Sequence, residues 1–110
     1  AGLSPAHMKK TKTFIQENLG DKISIEQMAN QTGLSPYHFA RMFKLSFGCS
    51  PAAYITHVRV GWIKQQLQSS KPLSQITQES GFSQQSHMSQ FFKKLTGMTP
   101  AGYKSLLQSA

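Results

Sequence analysis

Apolar residues recur every three or four positions along this 110-residue chain, and helix-start and helix-stop signals separate the periodic stretches. Four of the five prolines follow Ser or Thr, namely Pro5, Pro36, Pro51 and Pro100. A hydroxyl residue followed by proline is typical of a helix N-cap and its first helical position. No stretch shows a strand-like alternation. The pattern therefore predicts an all-α fold with about seven helices.

The predicted helices cover the following stretches in order: Pro5 to Leu19, the residues between Ser24 and Gly33, Pro36 to Ser46, Pro51 to Ser69, Leu73 to Ser80, Gln84 to Leu95, and a last helix from Pro100. Ser24 and Gln27 have the spacing of a capping box. The apolar faces of the later helices predict a core that includes Met88, Phe91, Phe92, Leu95, Tyr103, Leu106 and Leu107.

One stretch of the chain is written twice. Residues 33–54 read GLSPYHFARMFKLSFGCSPAAY, and residues 81–103 read GFSQQSHMSQFFKKLTGMTPAGY. The second copy has one additional residue just before His87. This repeat indicates a small module used twice. It predicts a first unit in residues 1–50, a connecting helix in residues 51–70 and a second unit in residues 71–110.

Each copy has the spacing of a helix-turn-helix. In the first, a small residue (Ala29) precedes the turn glycine (Gly33) by four positions, and an apolar residue (Leu34) follows the glycine. The second copy has Thr77, Gly81 and Phe82 at the matching positions. In such a motif the second helix enters the major groove of DNA. An ordinary helical hairpin also carries glycine at its turn, so a single copy is ambiguous, whereas two copies in one chain favour DNA binding.

The charge balance agrees with this interpretation. The chain has 12 Lys and Arg against 4 Asp and Glu, which gives a formal net charge of +8. This excess of positive charge is spread over both halves of the chain. A folded basic domain favours a polyanionic partner. The alternative from charge alone is a solvated, solubilising surface.

Other chemistry is not indicated. Cys49 is the single cysteine, which excludes an internal disulfide and favours a reducing compartment, the cytoplasm. No apolar run reaches membrane-spanning length, so no membrane partner is expected. The four histidines lack metal-ligand spacing, and no set of nucleophile, base and orienting residue is present. We therefore expect no metal, no cofactor and no enzymatic activity.

From Ile25 to Tyr103 the sequence resembles the DNA-binding domain of the AraC/XylS family of bacterial transcription regulators. The resemblance is strongest in GFSQQSHMSQFFKKLTGMTPAGY. It implies two helix-turn-helix units joined by a long helix, and sequence-specific binding of double-stranded DNA with recognition helices in successive major-groove segments. It also implies a C-terminal fragment of a longer regulator. An effector or dimerisation domain is then expected outside this fragment, with Ala1–Ser4 linker-like, and contact with RNA polymerase is compatible with this role.

The resemblance also assigns DNA-contacting positions. They fall on Tyr37, Ala40, Arg41 and Lys44 in the first unit, and on Gln85, Ser86, Ser89, Gln90 and Lys93 in the second. Arg41 can bridge O6 and N7 of guanine, and glutamine can pair with adenine. The alternative for Arg41 is a phosphate contact or a surface ion pair.

Several residues depart from the family pattern. Ala40 replaces a polar residue and can touch a thymine methyl, but it offers no hydrogen bond. Relatives more often have Arg at position 90, so the second unit is expected to read bases more weakly. Gln66 and Thr77 stand where relatives often have an apolar residue and Ala, and they are expected to loosen the connecting helix and the second unit.

Two other functional classes remain open at this stage. One is a non-specific architectural DNA-binding protein, which the largely polar outward faces favour. The other is a helical protein-interaction module whose basic surface docks an acidic partner.

Overall fold

The computed structural model describes residues 2–109, and within that range it contains seven helices and no strand. The helices are α1 (Pro5–Glu17), α2 (Ile25–Thr32), α3 (Pro36–Phe47), α4 (Pro51–Gln66), α5 (Leu73–Ser80), α6 (Gln85–Thr96) and α7 (Pro100–Gln108). The predicted all-α fold is confirmed. Ala1, part of the predicted linker-like segment, and Ala110, the end of the predicted second unit, lie outside the described residues.

Helix starts follow the local sequence. The hydroxyls of Ser4, Ser35, Ser50 and Thr99 each accept a hydrogen bond from the backbone N–H three residues later, at 3.0–3.2 Å. In α2 the Ser24 hydroxyl and the Gln27 side chain form the predicted capping box. Each cap satisfies N–H groups that the first helical turn leaves without an intrahelical acceptor.

Two helices end earlier than predicted, by two or three residues. α1 ends at Glu17 rather than Leu19, and α4 ends at Gln66 rather than Ser69. After α4 the backbone N–H of Ser69 bonds to the Gln66 carbonyl at 2.9 Å, and the Ser69 hydroxyl donates to the same oxygen at 2.6 Å. These short-range bonds satisfy a helix-terminal carbonyl and turn the chain before Pro72.

The chain separates into two compact units, one ending at Ile55 and the other beginning at Thr56. The boundary therefore lies within α4. The assignment of residues 51–70 to a separate connecting segment stays a prediction.

The first unit has an aromatic core. Phe43 is fully buried, its ring stacks on Phe47 with centroids 4.1 Å apart, and it meets the edge of Tyr54 at 5.6 Å and 76°. Ile15 from α1 and Met28 from α2 are buried as well. The core thus joins three helices to the start of α4.

Leu3 corrects one expectation for the first unit. It lies in the stretch predicted to be linker-like, yet it is 8% exposed, and its N–H donates to the Ser46 hydroxyl of α3 at 2.7 Å. A single apolar residue before a capped helix is not part of a periodic pattern, so its burial cannot be predicted from the sequence. The described residues before α1 therefore belong to the folded unit.

The second unit repeats this plan. Its hydrophobic core consists of Val60, Ile63, Leu67, Ile76, Met88 and Phe92. Phe92 meets the edge of Tyr103 at 5.6 Å and 75°, which is nearly the geometry of the Phe43–Tyr54 pair. The sequence repeat is thus also a repeat of packing, because the matching residues in the two copies make the same aromatic contact.

Three residues predicted to lie in the core are exposed: Phe91 by 37%, Leu95 by 38% and Leu106 by 56%. Met88 and Phe92 occupy the centre of the apolar stripe of α6. Phe91 is rotated about 100° from Phe92 around the helix axis, so it lies at the edge of the stripe. There the Phe91 ring stacks on Phe82 at 5.7 Å. In α7, Tyr103 and Leu107 take the inward positions and Leu106 turns outward.

An ion pair links the turn before α5 to the end of that helix. The ammonium of Lys71 lies 2.8 Å from Glu79 Oε1, and Gln75 Nε2 donates to Glu79 Oε2 at 3.2 Å. Hydrogen bonds from Lys71 and then Gln75 hold the pKa of the Glu79 carboxyl below its usual value. The carboxyl is exposed, and an exposed pair of this kind contributes little to stability.

Phe92→Ala should destabilise the second unit by about 3–5 kcal/mol, because it removes a buried aromatic ring and leaves a cavity. Urea denaturation followed by circular dichroism measures the change. Leu106→Ala is the control, and it should change stability by no more than about 0.5 kcal/mol because its side chain is exposed. Equal losses from both substitutions would contradict the assignment of Phe92 to the core.

Lys71→Met should move the pKa of Glu79 upward, toward its ordinary value. Because the folded pKa of Glu79 is depressed, its contribution to stability is present above the unfolded pKa, near 4.5, and is lost as the pH falls through the folded pKa. Carboxyl chemical shifts followed by NMR across this range give the measurement. Lys94→Met, on the exposed side of α6, should leave the Glu79 titration in place.

Candidate nucleic-acid interface

The turn between α2 and α3 is built around one carbonyl oxygen. Gly33 adopts a left-handed conformation with φ of 72°, which other residues adopt rarely. Its N–H bonds to the Ala29 carbonyl, the N–H of Leu34 reaches the same oxygen at 3.3 Å, and the Thr32 hydroxyl donates to it at 2.9 Å. These bonds fix the path along which the chain enters α3.

The turn between α5 and α6 has a matching arrangement. Gly81 has a φ of 92°, and the Ser80 hydroxyl donates to the Thr77 carbonyl at 2.8 Å. The N–H of Phe82 then donates to the Ser80 hydroxyl at 3.3 Å. Ser80 and Thr32 occupy matching positions, directly before each turn glycine, and both are buried. Sequence reasoning missed these two hydroxyls, although their place in the repeat was the signal for them.

Thr77 lies buried where α5 crosses α6. Its hydroxyl donates to the Leu73 carbonyl at 3.0 Å and lies 3.4 Å from the sulfur of Met88. The polar atom therefore has partners within the unit, which offsets the cost of burying it. Thr77 was expected to loosen the second unit. Its hydroxyl is hydrogen-bonded, so an unsatisfied polar group gives no reason for such loosening.

The first set of predicted DNA-contacting residues lies together on α3. We call Tyr37, Ala40, Arg41 and Lys44 the α3 recognition side. Tyr37 is 74% exposed, Arg41 and Lys44 are exposed, and Ala40 is half-buried between them. Their spacing of three and four residues places them on one side of the helix, away from the buried Phe39 and Phe43.

The second set lies on α6. We call Gln85, Ser86, Ser89, Gln90 and Lys93 the α6 recognition side. Four of these residues are exposed and Ser89 is half-buried. The structure thus groups the nine predicted residues as two sets, one in each unit. Their contact with DNA stays a prediction.

The two recognition helices begin differently. α3 starts three residues after Gly33 and has the Ser35 cap, whereas α6 starts four residues after Gly81, and its N-cap residue Gln84 makes no capping bond with its side chain. The additional residue of the second copy therefore lies in the turn, before Gln85, rather than just before His87 as predicted, and α3 and α6 keep the same length of 12 residues.

Arg59 supports the second turn from α4. Its guanidinium lies 5.8 Å from the ring centroid of Phe82, which also stacks on the ring of Phe91. Partial burial lowers the pKa of Arg59, although a guanidinium stays charged in proteins. A cation over an aromatic ring is a stabilising contact. Sequence reasoning did not single out Arg59, because it lies in the predicted connecting helix, outside the repeated stretch.

Residues 2–109 lack two other kinds of feature. No three His, Cys, Asp or Glu side chains lie close enough together to hold a metal ion. None of the seven helices combines the length and the apolar character that crossing a membrane requires.

Comparison with known proteins identifies the family. The family model described as a helix-turn-helix domain matches residues 28–105. The chain is 35% identical over 96 residues to the probable transcriptional regulator LumQ of Photobacterium leiognathi, covering 86% of this chain and 39% of LumQ. It is 34% identical over 94 residues to the bifunctional transcriptional activator and DNA repair enzyme AdaA of Bacillus subtilis (84% of this chain, 44% of AdaA). The chain thus spans less than half the length of these two relatives.

A shorter relative is covered more fully. The multiple antibiotic resistance protein MarA of Escherichia coli is 30% identical over 92 residues, which are 83% of this chain and 72% of MarA. With the family match, this similarity covers both helix-turn-helix units.

Solved structures share the fold. A transcriptional regulator from Chromobacterium violaceum, described by its AraC-type DNA-binding domain, superposes with a TM-score of 0.84 at 26% identity, over 91% of this chain and 90% of that one. The DNA-binding domain of AdpA, solved with a target DNA, has a TM-score of 0.87 at 20% identity, over 93% of both chains, and shows the fold alone. The family match and these relatives, together with the two turns and the repeated packing, show that the chain belongs to the AraC-type helix-turn-helix domain family.

Proposed function

We propose that this chain binds double-stranded DNA sequence-specifically as the DNA-binding domain of a bacterial transcription regulator. The observation that carries the proposal is the pair of matching turns. Each is followed, within four residues of a left-handed glycine, by a 12-residue helix with an exposed polar or basic side. An α-helix with its side chains is about 10–12 Å wide, and the major groove of B-DNA is about 12 Å wide.

The side chains on the two recognition sides suit base edges and phosphates. Arg41 has the fork of donors that fits guanine O6 and N7, and Gln85 and Gln90 have the amides that pair with adenine. Lys44 and Lys93 stand at matching positions of the two copies, near the end of each helix. We assign them to phosphates, because lysine is a mobile point charge without a fixed hydrogen-bonding plane.

Further parts of the proposal concern the cell. We propose that the domain works in the cytoplasm, that it has no catalytic role, and that contact with RNA polymerase accompanies its binding to DNA. The repair activity named for AdaA is not extended to this chain, which covers 44% of that protein. Here Glu79 is engaged by Lys71 and Gln75 rather than placed beside a nucleophile.

The deciding experiment is selection from random oligonucleotides, followed by titration of the selected duplex and a scrambled duplex at one stated salt concentration. We expect the selected duplex to bind at least about 10³-fold more tightly. Equal and strong binding to both would instead identify a non-specific architectural protein. Absence of binding to either would leave the protein-interaction alternative.

Binding should weaken steeply with salt. From the net charge of +8 we expect about four to eight phosphate contacts, and thus a slope of log affinity against log salt of about −4 to −7. Lys93→Ala should make the slope less steep by about 1 and weaken all sequences alike. A slope near zero would contradict the proposed DNA binding.

Arg41→Ala should cost about 1–3 kcal/mol on the selected duplex and relax the preference at one base pair. Gln85→Ala and Gln90→Ala should cost less, because the second unit is expected to read bases weakly. Gln16→Ala, on the exposed side of α1, is the control. Uniform loss across all duplexes would reassign Arg41 to a phosphate, and larger losses from the glutamines would reverse the ranking of the units.

A further inference from the structure

Ala40 is the smallest side chain on the α3 recognition side. Tyr37 lies one turn before it and Lys44 one turn after it, and Arg41 is its neighbour in sequence. Residues three and four apart on a helix have Cβ atoms about 5–6 Å apart, so the longer side chains flank Ala40 closely. Since Tyr37 is 74% exposed, it extends well beyond the helix surface. The recognition side of α3 therefore has a recess with a methyl group as its floor.

The second unit differs at the matching place. The position that matches Ala40 is Ser89, and the position that matches Tyr37 is Ser86. Ser89 is half-buried, as Ala40 is, but it carries a hydroxyl. The two units thus have the same turn and helix length, and they differ in the chemistry at the middle of their recognition sides.

Among the base edges in the major groove, one group is apolar, the C5-methyl of thymine. The same methyl at the same ring position is present in 5-methylcytosine. An alanine methyl cannot hydrogen-bond to a base, but it can exclude water from a C5-methyl that enters the recess. Burial of one methyl group is worth a factor of about four in affinity.

On these grounds, and resting on the function proposed above, we propose that Ala40 makes the first unit recognise the C5-methyl group of a pyrimidine at one base pair. Thymine and 5-methylcytosine both supply this group. The second unit, with Ser89 in its place, recognises its base pairs without a methyl contact.

The test uses the selected duplex, in which deoxyuridine replaces each thymine in turn and removes only the methyl group. For the wild-type chain, one replacement should weaken binding about fourfold. It should lie next to the base pair at which Arg41→Ala relaxes the preference. Replacements in the segment bound by the second unit should change affinity by less than about 1.5-fold, well below the factor for one methyl.

Ala40→Gly removes the methyl floor and should abolish the discrimination between thymine and deoxyuridine at that pair. Because glycine weakens a helix, circular dichroism must first show that the variant is folded. Ala40→Ser is the second variant. It copies the matching residue of the second unit, and it should reduce the same discrimination with less effect on the helix. Discrimination that persists unchanged in both variants would overturn the role of Ala40.

A second experiment distinguishes the two sources of the methyl group, thymine and 5-methylcytosine. At the identified pair, cytosine and 5-methylcytosine are compared, each opposite guanine. We expect 5-methylcytosine to bind about fourfold more tightly than cytosine in the wild-type chain and equally in Ala40→Gly. A thymine effect without a 5-methylcytosine effect would restrict the contact to thymine and overturn the more general proposal.

Failure of this inference is distinct from failure of the proposed function. Specific binding with no sensitivity to deoxyuridine in the segment bound by the first unit would overturn the methyl contact and leave the function in place. Loss of preference between selected and scrambled duplexes in the wild-type chain would overturn both.

Discussion

Each recognition helix depends on a hydroxyl group that donates to a backbone carbonyl at the crossing of two short helices. Thr32 bonds to the Ala29 carbonyl, and Ser80 bonds to the Thr77 carbonyl, both across three residues. Both hydroxyls are buried, and an unpaired buried donor would cost free energy comparable to a lost hydrogen bond. The turn glycine follows at once, so the direction in which α3 or α6 leaves the turn is set by a few bonded atoms.

Much of this architecture is contained in local signals. Hydroxyl–proline pairs predicted four helix starts, because an N-cap depends on neighbouring residues only. The internal repeat predicted two equivalent units, and the paired aromatic contacts of Phe43 with Tyr54 and Phe92 with Tyr103 bear this out. The nine candidate residues came from the family resemblance, and seven of them are exposed; their three- and four-residue spacing keeps each set on one side of its helix.

What sequence did not predict depends on contacts between distant segments. Burial of Leu3 accompanies a backbone hydrogen bond to Ser46, 43 residues away, and no local pattern anticipates either. Exposure of Phe91 reflects its position at the edge of an apolar stripe, where Phe82 offers a ring on which it stacks. A helical period identifies an apolar side, but it does not say how far around the helix the neighbouring elements reach.

The position of the unit boundary inside α4 has a consequence for dissecting the protein. Tyr54 and Ile55 belong to the first unit, whereas Val60, Ile63 and Leu67 belong to the core of the second. A gene fragment that stops before residue 51 would lack Tyr54, an aromatic partner of Phe43, and one that starts after residue 66 would lack all of α4, including Val60 and Ile63 of the second core. Although the module is duplicated, its copies share one helix and have no dispensable spacer between them. A fragment meant to isolate either copy must therefore carry its own part of α4.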